Sequence, residues 1–303
     1  RAAAARAAAE ADRIAPDPTV RRGVLPNGLR YAIQRNGRPE KSVSIRFHVE
    51  AGSFEEPQDA TGVAHFLEHM AFNGTRAFPE GELERVFSAA GIGFGRHQNA
   101  YTTALGTTYV LDVPQADAAK LDLSFRWLRD VADGMLLTPG AVEREKGVVA
   151  AEHDRGLGPE RDWRKAVQAY RYPGLRGPTR DPIGARESIL SMTPDKLRAF
   201  HQAWYRPELA HLVVVGDFDP DTMEAEIARR FGDWNGVGPA PARAAKGTIP
   251  ADPGLQVFAR SEPTLPTSVS ICWLDAWSGR RPETVTRFRA RAERSLYQRM
   301  IQD

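Results

Sequence analysis

The chain has 303 residues, 42% of them hydrophobic, which is ample for a core and sets a prior of about two domains. Its 41 Lys and Arg against 39 Asp and Glu leave a net charge of +2, mixed along the chain, and no basic tract with interleaved aromatics suggests a nucleic-acid surface. The one cysteine, Cys272, excludes an intrachain disulfide, and no run of about eighteen apolar residues exists to span a membrane.

In chain order, the Ala-rich residues 1–19 read as a helical lead-in rather than a signal peptide, since they lack an apolar stretch. The start on Arg1 is consistent with a processed N-terminus from which a secretory signal has been removed. Strands are expected at 29–34 and 42–50, the second alternating as Val43, Ile45, Phe47 and Val49. A buried helix follows, with Val63, Phe66, Leu67, Met70 and Ala71 as its apolar recurrence and Asn73-Gly74 as its stop. Residues 79–90 read as an amphipathic helix, 99–102 and 107–113 as strands, and 116–131 and 139–155 as helices. A loop with a short helix at 181–191, a helix at 194–205, a buried strand at 209–215 and a helix at 220–231 complete a domain over 20–235. Residues 236–252, rich in Gly, Pro and Ala, read as a linker. Strand patterns restart at Leu255 and over 267–273, opening a second domain at 253–303. The chain closes on an amphipathic helix from Thr284, with Phe288, Ala292, Leu296 and Met300 on one stripe and no capping signal, so an N-terminal portion of a longer polypeptide is expected. The order of elements implies an α+β layering.

The buried helix carries His65-Phe66-Leu67-Glu68-His69, an H-x-x-E-H pattern. His65 and His69 stand at i and i+4 on one helical face and can grip one zinc ion. Glu68 is close enough to reach a water on that metal, whose pKa falls toward ~7. The plain alternative is an ordinary helix with two histidines a turn apart. A catalytic zinc needs a third protein ligand, and the segment Val142 to His153 is the obvious donor, because Glu145 and Glu152 lie two turns apart on one face. Spacing alone leaves both as candidates. Glu143, Arg144 and Lys146 read as a solvated, self-paired face. His153 points about 100 degrees away from Glu152 and is read as structural or exposed. His48, His97, His201 and His211 have no i+4 partner and are left outside the site. Such ligands also accept manganese or cobalt.

His65 to Thr75 resembles the active-site helix of the M16 (pitrilysin/insulinase) metallopeptidases. The likeness extends in order through Leu25-Pro26-Asn27-Gly28-Leu29-Arg30, Gly52-Ser53, Asn99-Ala100-Tyr101-Thr102, Trp204-Tyr205-Arg206-Pro207 and Val213-Val214-Val215-Gly216-Asp217. It is nearest in character to the bacterial periplasmic, PqqL-like branch. The resemblance implies a layered M16 domain, antiparallel-rich sheet packed with helices, followed by the start of a second, similar one. It implies one Zn2+ held by His65, His69 and Glu152, with Glu68 as base and Glu145 as a carboxylate that shapes the catalytic site. Asn99, Ala100 and Tyr101 would be a substrate-binding edge strand. The stretch from His69 to Glu152 is longer than the family pattern, which keeps Glu145 a rival for the metal. The implied activity is endopeptidase cleavage of unfolded peptides inside a clamshell. Its other half would lie on the same chain or a partner subunit, and the location would be periplasmic or secreted. The alternative is a non-catalytic or partner-dependent M16 subunit that binds peptides or completes a heterodimer.

Overall fold

Period-two alternation at Val43, Ile45, Phe47 and Val49 places all four on one buried face of a strand, while Ser44, Arg46 and His48 between them stay half-buried on the other. The computed structural model describes residues 12–248, 254–272 and 284–302. Contacts divide the chain into two units, Thr19–Ser268 and a smaller one made of 1–18 with 269–303.

The larger unit is built on a six-stranded sheet. Its strands are β1 (Val20–Val24), β2 (Arg30–Arg35), β3 (Val43–Val49), β4 (Gln98–Thr102), β5 (Thr107–Val113) and β6 (Ala210–Gly216), in the spatial order β1-β2-β6-β3-β5-β4. Only β2 and β6 run parallel; the other neighbours are antiparallel. The helices are α1 (Val63–Met70), α2 (Glu82–Ala89), α3 (Ala118–Asp133), α4 (Pro139–Arg155), α5 (Pro159–Arg171), α6 (Arg186–Leu190), α7 (Pro194–Trp204) and α8 (Pro220–Phe231). Their apolar stripes cover the inner face of the sheet, where Ile33, Ile45, Phe47, Tyr109, Leu111 and Leu212 are fully buried among Phe66, Leu67, Phe125, Trp127, Ile227 and Phe231. This is the α+β layering expected of the order of elements.

Helix starts follow the local chemistry. Thr138, Thr193 and Asp219 each precede a proline at the first helical position and accept from a backbone N–H in the first turn of α4, α7 and α8. Helix α5 is an element that the sequence reading left out. Its stripe of Trp163, Val167 and Tyr170 is thin among charges, and it is held by Phe258, whose ring lies 5.7 Å from Trp163 and 4.9 Å from Tyr170.

Residues 236–248 are irregular and lie on the body of the larger unit. Arg243 pairs with Glu50 at 3.0 Å and Glu55 at 3.1 Å, and Arg176 N–H donates to Lys246 O. Residues 254–272 form no strand, so the strands expected at Leu255 and over 267–272 are absent among the described residues; Trp273 lies outside them. The alternation there has no neighbouring strand to pair with among the described residues, and Leu255 and Val257 stay exposed. In the smaller unit, the expected closing helix is present as α9 (Val285–Gln302), entered through Asp12, whose carboxylate accepts from Thr286 N and Oγ1. Of the helical lead-in expected over 1–19, residues 1–11 lie outside the described residues and residues 12–19 form no helix, Arg13 instead bridging to Thr284. No described helix is long and apolar enough to cross a membrane.

Candidate metal centre

Helix α1 is fixed at both ends before any site residue is considered. Its N-cap is Gly62 at φ 86°, and a Cβ there would stand 2.7 Å from the Ile183 carbonyl oxygen, so the approach and the left-handed turn both need glycine. The Glu56 carboxylate, 1% exposed, accepts from Gly62 N at 2.8 Å and Ala64 N at 3.0 Å, which satisfies two of the unpaired donors of the first turn. At the other end, Trp127 Nε1 donates to Ala71 O at 3.0 Å. Val63, Phe66, Leu67 and Met70 point into the core. That burial leaves His65, Glu68 and His69 on the side facing α4 and β4.

The two histidine rings stand 4.7 Å apart, centroid to centroid, edge to face. Helix α4 brings Glu152 against both: its carboxylate oxygens lie 3.7 Å from His65 Nε2 and 3.3 Å from His69 Nε2. One donor atom from each of His65, His69 and Glu152 falls within 4.8 Å of the others, and this is the metal-capable group among the described residues. Donors around a tetrahedral zinc ion, with ligand distances near 2.0–2.1 Å, stand about 3.3 Å apart, and the two Glu152–histidine distances, 3.7 and 3.3 Å, lie near that spacing. His65 Nδ1 is buried without a partner, and Glu152 is the most open of the three, leaving one side of the group toward solvent.

Glu145, two turns before Glu152, does something different. It accepts from or shares a proton with His69 Nδ1 at 2.7 Å, and its second oxygen accepts from Asn73 Nδ2 at 2.7 Å. It therefore orients the histidine from behind rather than facing the donor group. Glu68 is 7% exposed and contributes no atom to that group; Thr102 Oγ1, at the end of β4, donates to its Oε2 at 2.5 Å. Asn73 and Thr102 were not among the expected site residues. Both lie within the stretches that carry the family likeness, but Asn73 reads there only as a helix stop and Thr102 has no role of its own.

Electrostatics separate the two histidines. Burial, then the neighbouring His69, pulls His65 down to about 4, so it is neutral at physiological pH. Burial also opposes the charge on His69, but Glu145 and Glu152 outweigh it and hold that ring up to about 9. Contact with His69 keeps Glu152 below its usual range against some burial. Burial pushes Glu68 above the usual carboxylate range, with the Thr102 bond opposing it.

Strand β4 is an edge strand. Asn99 and Tyr101 are exposed, and among the described residues the backbone pairing on its outer side is an isolated bridge from Phe94 to Gln98. Ala100 N–H is engaged by Asn99 Oδ1 at 2.9 Å, a neutral local bond that an incoming strand can replace. The remaining histidines have structural partners: His48 with Thr108, His97 with Gly93 N, His201 with Val131 O, His211 with Glu50, and His153 with Asp154.

Comparison with known proteins gives these positions a context. A model of the insulinase family, peptidase family M16, matches residues 31–157, the span that holds His65 to Glu152; a model of the peptidase M16 inactive domain matches residues 191–275. The chain is 35% identical over 221 residues to the probable zinc protease PqqL of Haemophilus influenzae, covering 73% of this chain and 24% of that protein. It is 31% identical over 206 residues to the chloroplastic stromal processing peptidase of Arabidopsis thaliana, covering 67% and 16%. The solved first half of the periplasmic protease PqqL from Escherichia coli superposes with a TM-score of 0.73 at 29% identity, covering 77% of this chain and 50% of that one. The chain spans about a quarter of the length of the PqqL relative from Haemophilus.

Proposed function

The chain belongs to the insulinase family, peptidase family M16, in its PqqL-like part, and on that premise we propose that it carries the hydrolytic centre of a zinc-dependent endopeptidase. The observation that carries this is the convergence, from two separate helices, of His65, His69 and Glu152 donor atoms within 4.8 Å, with Glu68 beside them and outside the donor set. His65, His69 and Glu152 would hold the ion. A bound zinc ion supplies Lewis acidity, polarising the scissile carbonyl and acidifying the attacking water. Glu68 takes the proton of that water and returns it to the leaving amine. Thr102 ties one Glu68 oxygen and leaves the other free for the proton. Glu145 and Asn73 fix the orientation of the His69 ring. Asn99, Ala100 and Tyr101 offer the edge to which an extended peptide adds as a further strand, giving affinity with little sequence demand. Unfolded peptides in a two-halved, periplasmic chamber are the proposed substrates. The second half would come from the same polypeptide or a partner subunit, and residues 253–303 would begin a second M16-like domain beside the catalytic one.

Removing the metal with a chelator should abolish cleavage of a quenched peptide, and zinc should restore it. A partner-dependent subunit is the second reading, since a model of the peptidase M16 inactive domain matches residues 191–275; it predicts cleavage only on mixing with a second M16 half.

Two further results are expected. Thr102→Val should lower kcat by about tenfold with KM little changed, the cost of a hydrogen bond to a buried charge, and Thr102→Ser should recover most of it. An equal loss in Thr102→Ser would tie the effect to packing instead. Because His69 is held up to about 9 without metal, zinc must displace its proton at neutral pH. Affinity should therefore rise with pH toward about 9, with about one proton from His69 and a further fraction from the bound water released per zinc at pH 7. Calorimetry in two buffers of different ionisation heat counts these protons, and a count of zero would contradict the His69 assignment.

A further inference from the structure

We propose that the cleft between helix α5 and the segment 177–183 is a pocket for a carboxylate of the substrate, from an Asp or Glu side chain or from a peptide C-terminus. The proposal rests on the peptidase reading of the adjoining centre and names its substrate preference. The cleft holds about 440 Å3. Glu152 forms part of its wall, so it opens on the metal group, and Ala104, two residues past the end of β4, forms another part. A peptide laid along β4 and past the centre has this cleft within reach of its next residues.

Charge decides what the cleft accepts. Arg161, Arg164, Lys165 and Arg180 line it, against the two carboxylates of Asp181 and Glu152. Glu152 is committed to the metal in the proposed centre. Asp181 is shared: Arg161 Nη2 donates to it at 2.9 Å and Lys165 Nζ lies 3.0 Å away, so one carboxylate answers two cations. Arg164 meets Glu160 at 3.3 Å, an exposed pair of little strength. Arg180 is 8% exposed, gives Nη2 to the neutral Gln58 amide at 2.9 Å, and leaves Nε and Nη1 without partners, with buried Glu56 as its charged neighbour. Among the lining side chains four cations stand against two carboxylates, and low-dielectric walls strengthen their field at the mouth. The wall is fixed rather than loose. Phe258 stacks on Trp163 and Tyr170 of α5, and Arg260 Nη1 donates to Asp162 O. A substrate lysine placed there would meet like charges, whereas a carboxylate would meet opposite ones.

The test is a panel of quenched peptides of one sequence, with Glu, Gln or Lys as the first residue after the mapped cleavage site, each with a free or an amidated C-terminus. kcat/KM is measured with the zinc-loaded protein, and ratios are read within each protein, so loss of fold does not mimic loss of preference. The expected Glu-to-Lys ratio is about tenfold, shrinking with added salt, and it should collapse or invert in Lys165→Glu with Arg164→Glu. The milder Lys165→Gln should reduce it partway. A Glu-over-Lys preference that persists on amidation assigns the pocket to the side chain; faster cleavage of the free than of the amidated form, alike for Glu, Gln and Lys, assigns it to the C-terminal carboxylate. Equal cleavage of all six peptides overturns the pocket and leaves the peptidase reading standing. If no peptide is cleaved, with or without a second M16 half added, the peptidase reading fails. Fluorescence anisotropy of the same peptides, labelled, on the zinc-loaded protein then reads the pocket separately: tighter binding of the acidic peptides supports it, and equal binding overturns it.

Discussion

Glu68→Gln should lower kcat for peptide hydrolysis by about a thousandfold or more while the protein keeps its zinc, since a general base contributes about 10²–10⁴-fold. The substitution isolates the proton-transfer role. Glutamine keeps the shape of the side chain, and its amide oxygen can still accept from Thr102 Oγ1, so the packing of a 7% exposed residue is retained. What is lost is the capacity to take a proton. Glu68 is not one of the donor atoms of the metal group, so metal content should not change. Kinetics beside metal analysis of the same preparation checks this. Loss of zinc together with activity would make Glu68 a ligand, and retention of both would remove the base from the mechanism.

The second large effect separates the two glutamates of helix α4. Glu145→Ala should weaken zinc binding by about 10–100-fold, the usual cost of removing the partner that orients a ligating histidine. Glu152→Ala should cost well beyond that, because it removes a donor and leaves two histidines to hold the ion. The structural ground is that Glu145 reaches the Nδ1 side of His69 at 2.7 Å, while Glu152 meets the Nε2 atoms of both histidines. Competition titration with a chromophoric chelator gives both affinities. A larger loss in Glu145→Ala than in Glu152→Ala would reverse the assignment.

These two glutamates also show how far the sequence could be read. Their spacing of seven placed both on the face of α4 that meets α1, and the pentad placed both histidines on one side of α1. Spacing could not say which carboxylate meets which ring nitrogen. That depends on where α4 crosses α1, and the crossing follows from packing across the whole core, in which Val142 and Val149 of α4 are buried. The sheet strands from β2 to β6 were legible because burial on one face writes alternation into them. Strand β1, with Arg21, Arg22 and Gly23 at the sheet edge, carries no such pattern. Helix α5 was missed because its apolar stripe is thin, although Pro159 after Gly158 was an available start signal. The strands expected near Leu255 and 267–272 had the right alternation, but a strand needs a neighbour, and none stands beside them among the described residues. The hydrogen bonds of Glu56, Asn73 and Thr102 join residues brought together only by the fold, so local pattern held no sign of them.

The most direct test of the centre is a zinc-edge anomalous difference map from crystals of the zinc-loaded protein. One peak is expected, about 2.0–2.2 Å from His65 Nε2, His69 Nε2 and a Glu152 carboxylate oxygen. No peak at that position, or a peak coordinated by Glu145 instead of Glu152, would contradict the assignment.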